Sequence, residues 1–125
     1  MSRPTTTRIL TVDDSASMRA LLLNALAGAG FAVEQADDGV AALEWLAAND
    51  CDLIITDINM PRMDGFALIE RVRAGAARTG LPVLVLSTES SDEKKARARA
   101  AGATGWIVKP FDTAKLVAAV RRVTH

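Results

Sequence analysis

The chain has 125 residues, a length typical of one domain, and half of its residues are hydrophobic, so a core can form without a disulfide or a structural metal. Its 15 Lys and Arg residues balance 15 Asp and Glu residues, which argues against a main partner that is nucleic acid or an anionic membrane. The single cysteine, Cys51, excludes an internal disulfide and a cysteine zinc site, and is expected to be a packing residue.

Five short, mostly apolar runs predict β-strands, and they lie at residues 9–12, 32–36, 53–56, 83–86 and 106–108. Four of them are apolar throughout or nearly so, which is typical of strands buried on both faces of a parallel sheet. The second run contains Glu34 and Gln35. It is therefore predicted to form an edge strand, with one side facing water.

Each run is followed by a segment long enough for one helix. In the first segment, apolar residues at 18, 21, 22, 25 and 26 form one helical face, and Gly30 can end the helix. In the second segment, Asp37 or Asp38 can cap a helix that runs to about residue 49. Its Trp45 is interpreted as a packing residue.

The remaining helices are predicted from their capping residues. Asp64 and Gly65 begin the third helix, which runs to about residue 74. Ser90 or Ser91 caps the fourth helix, and Asp112 caps the last one. The sequence thus predicts an α/β fold of five βα units, with an open, doubly wound, five-stranded parallel sheet. We expect a tail at residues 1–7 and a single domain at residues 8–125, with no output domain.

Polar side chains follow four of the strands at the edge of the sheet where such folds bind ligands. These residues are Asp13, Asp14, Asp57, Ser87 and Lys109. Two carboxylates about 4 Å apart repel each other by roughly 4 kcal/mol at an effective dielectric near 20, so the cluster needs a positive counter-charge. Oxygen ligands with room left for water favour Mg²⁺, and Lys109 adds a fixed charge.

This set of groups is suited to phosphoryl transfer, in which catalysis is mostly positioning and charge neutralisation. Asp57 would be the nucleophile, and the product would be an aspartyl phosphate. Ser87 could donate a hydrogen bond to the phosphoryl group, while Lys109 pairs with another of its oxygens.

Four motifs carry a resemblance to a known family: VDDS at 12–15, DINMPRMDG at 57–65, LST at 86–88 and GWIVKPF at 105–111. Together they resemble the receiver domain of two-component response regulators, and within it the stand-alone chemotaxis type, CheY. The resemblance implies a flavodoxin-like or CheY-like fold with strand order 2-1-3-4-5. It also implies a phosphoprotein that accepts a phosphoryl group from a histidine kinase similar to CheA. The lack of a secretory signal in the first residues and of an apolar stretch long enough to span a bilayer leads us to expect a cytoplasmic location.

The resemblance further implies which residues carry the chemistry. Asp57 is the phosphoacceptor; Asp14, Asp57 and the backbone carbonyl of Asn59 hold Mg²⁺, and Asp13 acts through water. Lys109, Ser87 and Thr88 belong to the same catalytic site, and the peptide bond between Lys109 and Pro110 is cis. Signalling would run from Ser87 to an aromatic residue at position 106, which changes the surface around the fourth helix, fifth strand and fifth helix.

The chain departs from the family pattern at two positions. Trp106 stands where the family usually has Tyr or Phe, and its indole needs more space and a partner for its N–H. Thr88 stands where the family often has a smaller residue, which reduces access to the site. Asn59 and Glu89 match the chemotaxis type at positions that tune self-dephosphorylation, so we expect that reaction to be fairly rapid.

Several alternatives remain open at this point. Each polar residue taken alone could be a helix cap or a turn former, and Trp106 is as readily a packing residue as a switch. A phosphatase of the haloacid dehalogenase type also uses a strand-end Asp with Mg²⁺, although those enzymes carry Asp where this chain has Asn59. A flavin-binding protein shares the layout of the fold, but its phosphate loop is rich in Ser, Thr and Gly.

The output is also open among three alternatives: control of a flagellar motor switch protein, a phosphate sink, or an intermediate in a phosphorelay. The only histidine, His125, is terminal, so the histidine phosphodonor must be a partner. We expect a monomer that neither binds nucleic acid nor inserts into a membrane.

Overall fold

The computed structural model describes residues 6–75 and 78–124, in which five strands alternate with five helices. The strands are β1 (Arg8–Val12), β2 (Ala32–Ala36), β3 (Leu53–Thr56), β4 (Val83–Ser87) and β5 (Gly105–Val108). The helices are α1 (Ala16–Gly28), α2 (Gly39–Leu46), α3 (Gly65–Ala74), α4 (Asp92–Ala101) and α5 (Thr113–Thr124). Residues 1–5 of the expected tail and His125 lie outside the described residues.

All strand pairs are parallel, and the sheet order is β2-β1-β3-β4-β5, which confirms the predicted fold. β2 lies at one edge, with Glu34 and Gln35 exposed as the sequence indicated. Helices cover both faces of the sheet. One core contains buried residues of α2, α3 and α4, and the other contains buried residues of α1 and α5. The carboxyl ends of β1, β3 and β4 therefore open onto one edge of the molecule.

Each of the five helices begins after a side chain that accepts a hydrogen bond from a backbone N–H of its first turn. The capping residues are Ser15, Asp38, Asp64, Ser91 and Asp112, which decides between the paired candidates for α2 and α4 and confirms Asp112 for α5. At the other end of α1, Gly30 has a φ of 96°; its N–H donates to the Ala27 carbonyl, and the Phe31 N–H donates to the Leu26 carbonyl. This arrangement is a Schellman motif, which requires a residue that tolerates a positive φ.

Two details differ from the sequence predictions. The second helix ends at Leu46 rather than near residue 49, and the Asn49 side-chain amide donates to the carbonyl of Trp45 in place of a further turn. Leu21 was placed on the apolar face of α1, but it is 54% exposed and borders a groove beside Pro110 and Phe111. Of the five residues predicted for that face, Leu22 and Leu26 are fully buried, and Met18 and Ala25 are partly buried.

Cys51 and Trp45 are partly buried and pack against the core that contains α2 and α3, which confirms that they are packing residues. Burial raises the pKa of the Cys51 thiol to about 11, so the thiol stays protonated near neutral pH. Within residues 6–75 and 78–124, no helix has the length and hydropathy needed to cross a membrane.

Candidate functional site

Three carboxylates meet at the carboxyl end of the sheet. Asp13 and Asp14 follow β1, Asp57 follows β3, and one oxygen of each lies within 4.8 Å of the others. They meet because β1 and β3 are neighbours in register, with Val12 opposite Thr56. Asp13 is buried, Asp14 is exposed and Asp57 is partly buried. The cluster is thus open to solvent on the side of Asp14.

Lys109 supplies the positive charge that the cluster needs. It follows β5, two strands from Asp57, and its Nζ lies 2.9 Å from Asp13 Oδ2 and 3.4 Å from Asp57 Oδ2. Its side chain is only 11% exposed, and its backbone N–H donates to the carbonyl of Ser87. The peptide bond between Lys109 and Pro110 is cis, the isomer implied by the sequence resemblance.

The Asp57 carboxylate is held in a poorly solvated position. Burial raises the pKa of this carboxyl, while the Ile58 N–H, which donates to Oδ1 over 2.7 Å, and the nearby Lys109 ammonium act in the opposite direction. The chain after Asp57 turns sharply, and a Cβ at Gly65 would lie 2.3 Å from the Asp57 carbonyl oxygen. Position 65 therefore requires glycine.

Both oxygens of Asp13 already have hydrogen-bond partners. Oδ1 accepts from the backbone N–H of Ser15 over 2.9 Å, and Oδ2 accepts from Lys109. The backbone carbonyl of Asp13 accepts from Arg19 over 2.6 Å, a contact that sequence reasoning did not find. Asp13 is consequently fixed in orientation, and this suits a residue that acts on a metal through water.

The donor set of this cluster fits Mg²⁺. All its side-chain ligands are carboxylate oxygens, which Mg²⁺ prefers, and the open side leaves room for the waters that this ion retains. Lys109 neutralises only part of the charge of three carboxylates. The fit therefore rests on both the type of ligand and the uncompensated charge.

A second group of predicted residues surrounds Glu89, in the loop between β4 and α4. Its backbone N–H donates to Ser87 Oγ over 3.1 Å, and its carbonyl accepts from Trp106 Nε1 over 2.8 Å. Its carboxylate accepts from Asn59 Nδ2 over 3.1 Å and pairs with Lys94 of α4. The contact with Lys94, and to a lesser extent the one with Asn59, holds the pKa of the Glu89 carboxyl below its usual value.

The structure separates the remaining predicted residues by burial. Ser87 is buried at the end of β4, whereas Thr88 is exposed on the loop beyond it. Asn59 is also exposed and reaches Glu89 across the cleft. Trp106 is partly buried and packs against the core beside α4, with its N–H satisfied.

Sequence reasoning missed the part that Arg62, Asp38 and Lys94 play around the site. Arg62 forms two hydrogen bonds with the carboxylate of Asp38, 24 residues away. Lys94, in the first turn of α4, forms an ion pair with Glu89. A single sequence carries no signal for such pairs, because they depend on the path of two loops.

The model of the response regulator receiver domain family matches residues 9–121. The chain belongs to this family. The chemotaxis protein CheY-3 of Vibrio cholerae is 43% identical over 87% of this chain and 85% of its own length. The chemotaxis protein CheY of Pseudomonas aeruginosa is 38% identical over 93% of this chain and 94% of its own length.

Solved structures agree with these sequence relatives. The chemotaxis protein CheY4 of Vibrio cholerae superposes with a TM-score of 0.91 at 43% identity, over 95% of this chain and 99% of that one. A putative response regulator from Chloroflexus aurantiacus gives a TM-score of 0.92 at 32% identity, over 96% and 98% of the two chains. Membership of the receiver family decides against a haloacid dehalogenase phosphatase and against a flavin-binding protein.

Proposed function

We propose that this receiver domain is phosphorylated on Asp57 with the help of Mg²⁺, and that it acts as a switch which catalyses its own phosphorylation and dephosphorylation. The observation that carries the proposal is the convergence of Asp57 with Asp13, Asp14 and Lys109 at the ends of three strands. A partly buried carboxylate that lies beside an ammonium and beside further carboxylates able to hold a metal ion suits the formation of an acyl phosphate.

In the proposed step, an Asp57 carboxylate oxygen attacks the phosphorus of a phosphohistidine. The new O–P bond forms as the N–P bond breaks, and the histidine nitrogen keeps the electron pair and takes up a proton. Lys109, placed 3.4 Å from Asp57, pairs with the transferred group, and the hydroxyl of Ser87 donates to it. The donor is a partner histidine kinase.

The metal would be held by Asp14, Asp57 and the Asn59 carbonyl, with Asp13 acting through water. When bound, Mg²⁺ neutralises the charge that develops on the phosphoryl oxygens. The chain itself fixes Asp13 through Ser15 and Lys109, so that this carboxylate can orient water.

The signal would leave the site through Ser87. A phosphoryl group on Asp57 would accept the Ser87 O–H, and turning this hydroxyl towards it would disturb the bond that Ser87 Oγ accepts from the Glu89 N–H. The Glu89 carbonyl in turn accepts from Trp106. The path from Asp57 thus leads to the surface formed by α4, β5 and α5. A phosphoryl group adds about −1.5 to −2 charges, enough to bias such a two-state surface.

Asn59 and Glu89 would tune the lifetime of the phosphoryl group, because their side chains meet in front of the site. With this pair we expect fairly rapid self-dephosphorylation. A purified phosphorylated protein that kept its phosphoryl group for hours would contradict this assignment.

The biological output is proposed from the relatives, whose names are those of chemotaxis proteins. The phosphodonor would be a kinase similar to CheA, and the partner a flagellar motor switch protein. We infer that the protein works in the cytoplasm as a monomer that does not bind nucleic acid. Its structured part would be a single domain within residues 8–125.

Binding to the flagellar motor switch protein of the same cell tests this output. The chain activated with beryllofluoride and Mg²⁺ is compared with Asp57→Asn under the same conditions. Binding by the activated chain alone supports control of the motor. Absence of binding in either state would contradict it and favour a phosphate sink or a phosphorelay intermediate.

A further inference from the structure

Arg62 and Asp38 form a two-pronged ion pair beside the site. Arg62 Nε donates to Asp38 Oδ2 over 2.6 Å, and Nη2 donates to Oδ1 over 2.9 Å. The Asp38 side chain is 6% exposed and also accepts from the backbone N–H of Ala41, as the N-cap of α2. The carboxylate is therefore fixed by the helix, and the arginine comes to it from the loop.

Arg62 occupies a conformation that its own residue type disfavours. Its φ is 66°, and it lies at the centre of a three-residue turn in which the Met63 N–H donates to the Pro61 carbonyl over 2.7 Å. A positive φ in such a turn is strained for any residue with a Cβ, and it persists where the surroundings fix it. The ion pair with Asp38 supplies that restraint.

The segment fixed in this way is the loop between β3 and α3, residues 57–64. Its base is closed by the Gly65 N–H, which donates to the Ile58 carbonyl over 2.8 Å. Its far side rests on α2, where a Cβ at Gly39 would lie 2.8 Å from Met63 Cγ. Asn59 lies between these points and is itself exposed, so its position depends on the loop.

We propose that Arg62 is a positioning residue: its ion pair with Asp38 holds the 57–64 loop in the conformation in which Asp57 and Asn59 can bind Mg²⁺ together. This inference rests on the proposed function, because it assigns the loop to the metal site. Two parallel N–H···O bonds define the position of a guanidinium far better than one lysine contact would. The Arg62–Asp38 ion pair therefore fixes the conformation of the loop, in addition to placing a positive charge near the site.

The affinity for Mg²⁺ tests the inference when measured by calorimetry on four proteins: the wild type, Arg62→Ala, Arg62→Lys and Arg122→Ala. Arg122 is an exposed arginine on α5, so its loss matches the change in net charge. We expect Arg62→Ala to weaken Mg²⁺ binding on the order of 10-fold, as loss of a residue that orients a ligand does. Arg62→Lys should weaken it nearly as much, and Arg122→Ala should not.

Hydrogen exchange in the absence of Mg²⁺ provides a second measurement that a uniform loss of stability would not reproduce. In Arg62→Ala, the amides of residues 58–60 and 62–64 should exchange faster while those of β1 and β3 keep their wild-type rates. Arg62→Gly removes the ion pair, and glycine tolerates the positive φ. This variant should therefore remain folded even if Arg62→Ala does not. Its Mg²⁺ affinity should also fall.

The outcomes separate this inference from the proposed function. Equal Mg²⁺ affinity in the wild type and the Arg62 variants overturns the inference alone, as does wild-type affinity in Arg62→Lys. An equal loss in Arg122→Ala reduces the effect to net charge and also overturns it. A wild-type protein that binds no Mg²⁺ refutes the proposed metal site, and the inference with it.

Discussion

The indole N–H of Trp106 donates to the backbone carbonyl of Glu89 over 2.8 Å, while the N–H of the same Glu89 donates to Ser87 Oγ over 3.1 Å. One loop residue thus joins the end of β4 to the aromatic side chain of β5. A buried indole needs a hydrogen-bond partner, and this carbonyl provides it. Glu89 therefore links Ser87 to Trp106 through two hydrogen bonds.

This connection predicts that Trp106 fluorescence reports activation. Trp45 and Trp106 are the two tryptophans of the chain, so Trp45→Phe leaves Trp106 as the single emitter. In that variant, beryllofluoride with Mg²⁺ should change the emission, because Ser87 turns to the phosphoryl mimic and Glu89 moves with it. Adding Asp57→Asn should abolish the change. The same emission with and without beryllofluoride would mean that Trp106 only packs.

The raised pKa of Asp57 predicts a gain in stability on neutralising it. Since its pKa is higher in the folded protein, the folded state binds more protons, and stability is lost as the pH rises through that pKa. Asp57→Asn should therefore stabilise the Mg²⁺-free protein at pH 7, and the advantage should shrink as the pH falls. Urea unfolding of both proteins at several pH values measures this difference in the free energy of unfolding.

A matched variant controls for net charge in that experiment. Asp112→Asn removes an exposed carboxylate that is not part of the cluster and keeps the acceptor that binds the Lys115 N–H at the start of α5. If Asp112→Asn gave the same gain with the same pH dependence, local burial at Asp57 would not be its cause.

The close packing around Gly65 predicts that Gly65→Ala and Gly28→Ala differ in their effects on stability and on Mg²⁺ binding. A Cβ at Gly65 would meet the backbone of Asp57 and Ile58, so Gly65→Ala must displace the loop that carries the phosphoacceptor. We expect a loss of about 2 kcal/mol in the free energy of unfolding, in the range of overpacked sites, and weaker Mg²⁺ binding. Chemical unfolding and calorimetry measure the two effects.

Gly28, the last residue of α1, is the control for this change, since nothing lies within 4 Å of a Cβ built there. Gly28→Ala should leave Mg²⁺ binding unchanged and stabilise the protein by about 0.5–1 kcal/mol through helix propensity. Similar effects of the two substitutions would show that close approach at Gly65 is unimportant.

The sequence was sufficient to predict the sheet and the carboxylate cluster, for one physical reason. Residues that follow parallel strands meet at one edge, so Asp13, Asp57 and Lys109 converge once the topology is known. Helix starts were also predictable, because a cap such as Asp64 bonds to an N–H three residues away. These features depend on local chemistry or on strand order.

The contacts that no sequence pattern indicated depend on how loops and long side chains lie in space. Arg62 reaches Asp38 only because the turn at residues 61–63 points it towards α2. Lys94 lies in the first turn of α4, three residues after the N-cap Ser91, where a lysine usually faces solvent. The loop before α4 places Glu89 next to it. The exposure of Leu21 likewise depends on where the loop after Pro110 runs.

Intact mass spectrometry after incubation with Mg²⁺ and a small phosphodonor such as acetyl phosphate shows whether Asp57 is the phosphoacceptor. We predict that the wild type gains the mass of one phosphoryl group, that Asp57→Asn gains none, and that chelating Mg²⁺ prevents the gain. Asp64→Asn, which keeps a cap acceptor in the same loop, should be modified like the wild type. Phosphorylation of Asp57→Asn, or none in the wild type, would contradict the assignment of Asp57.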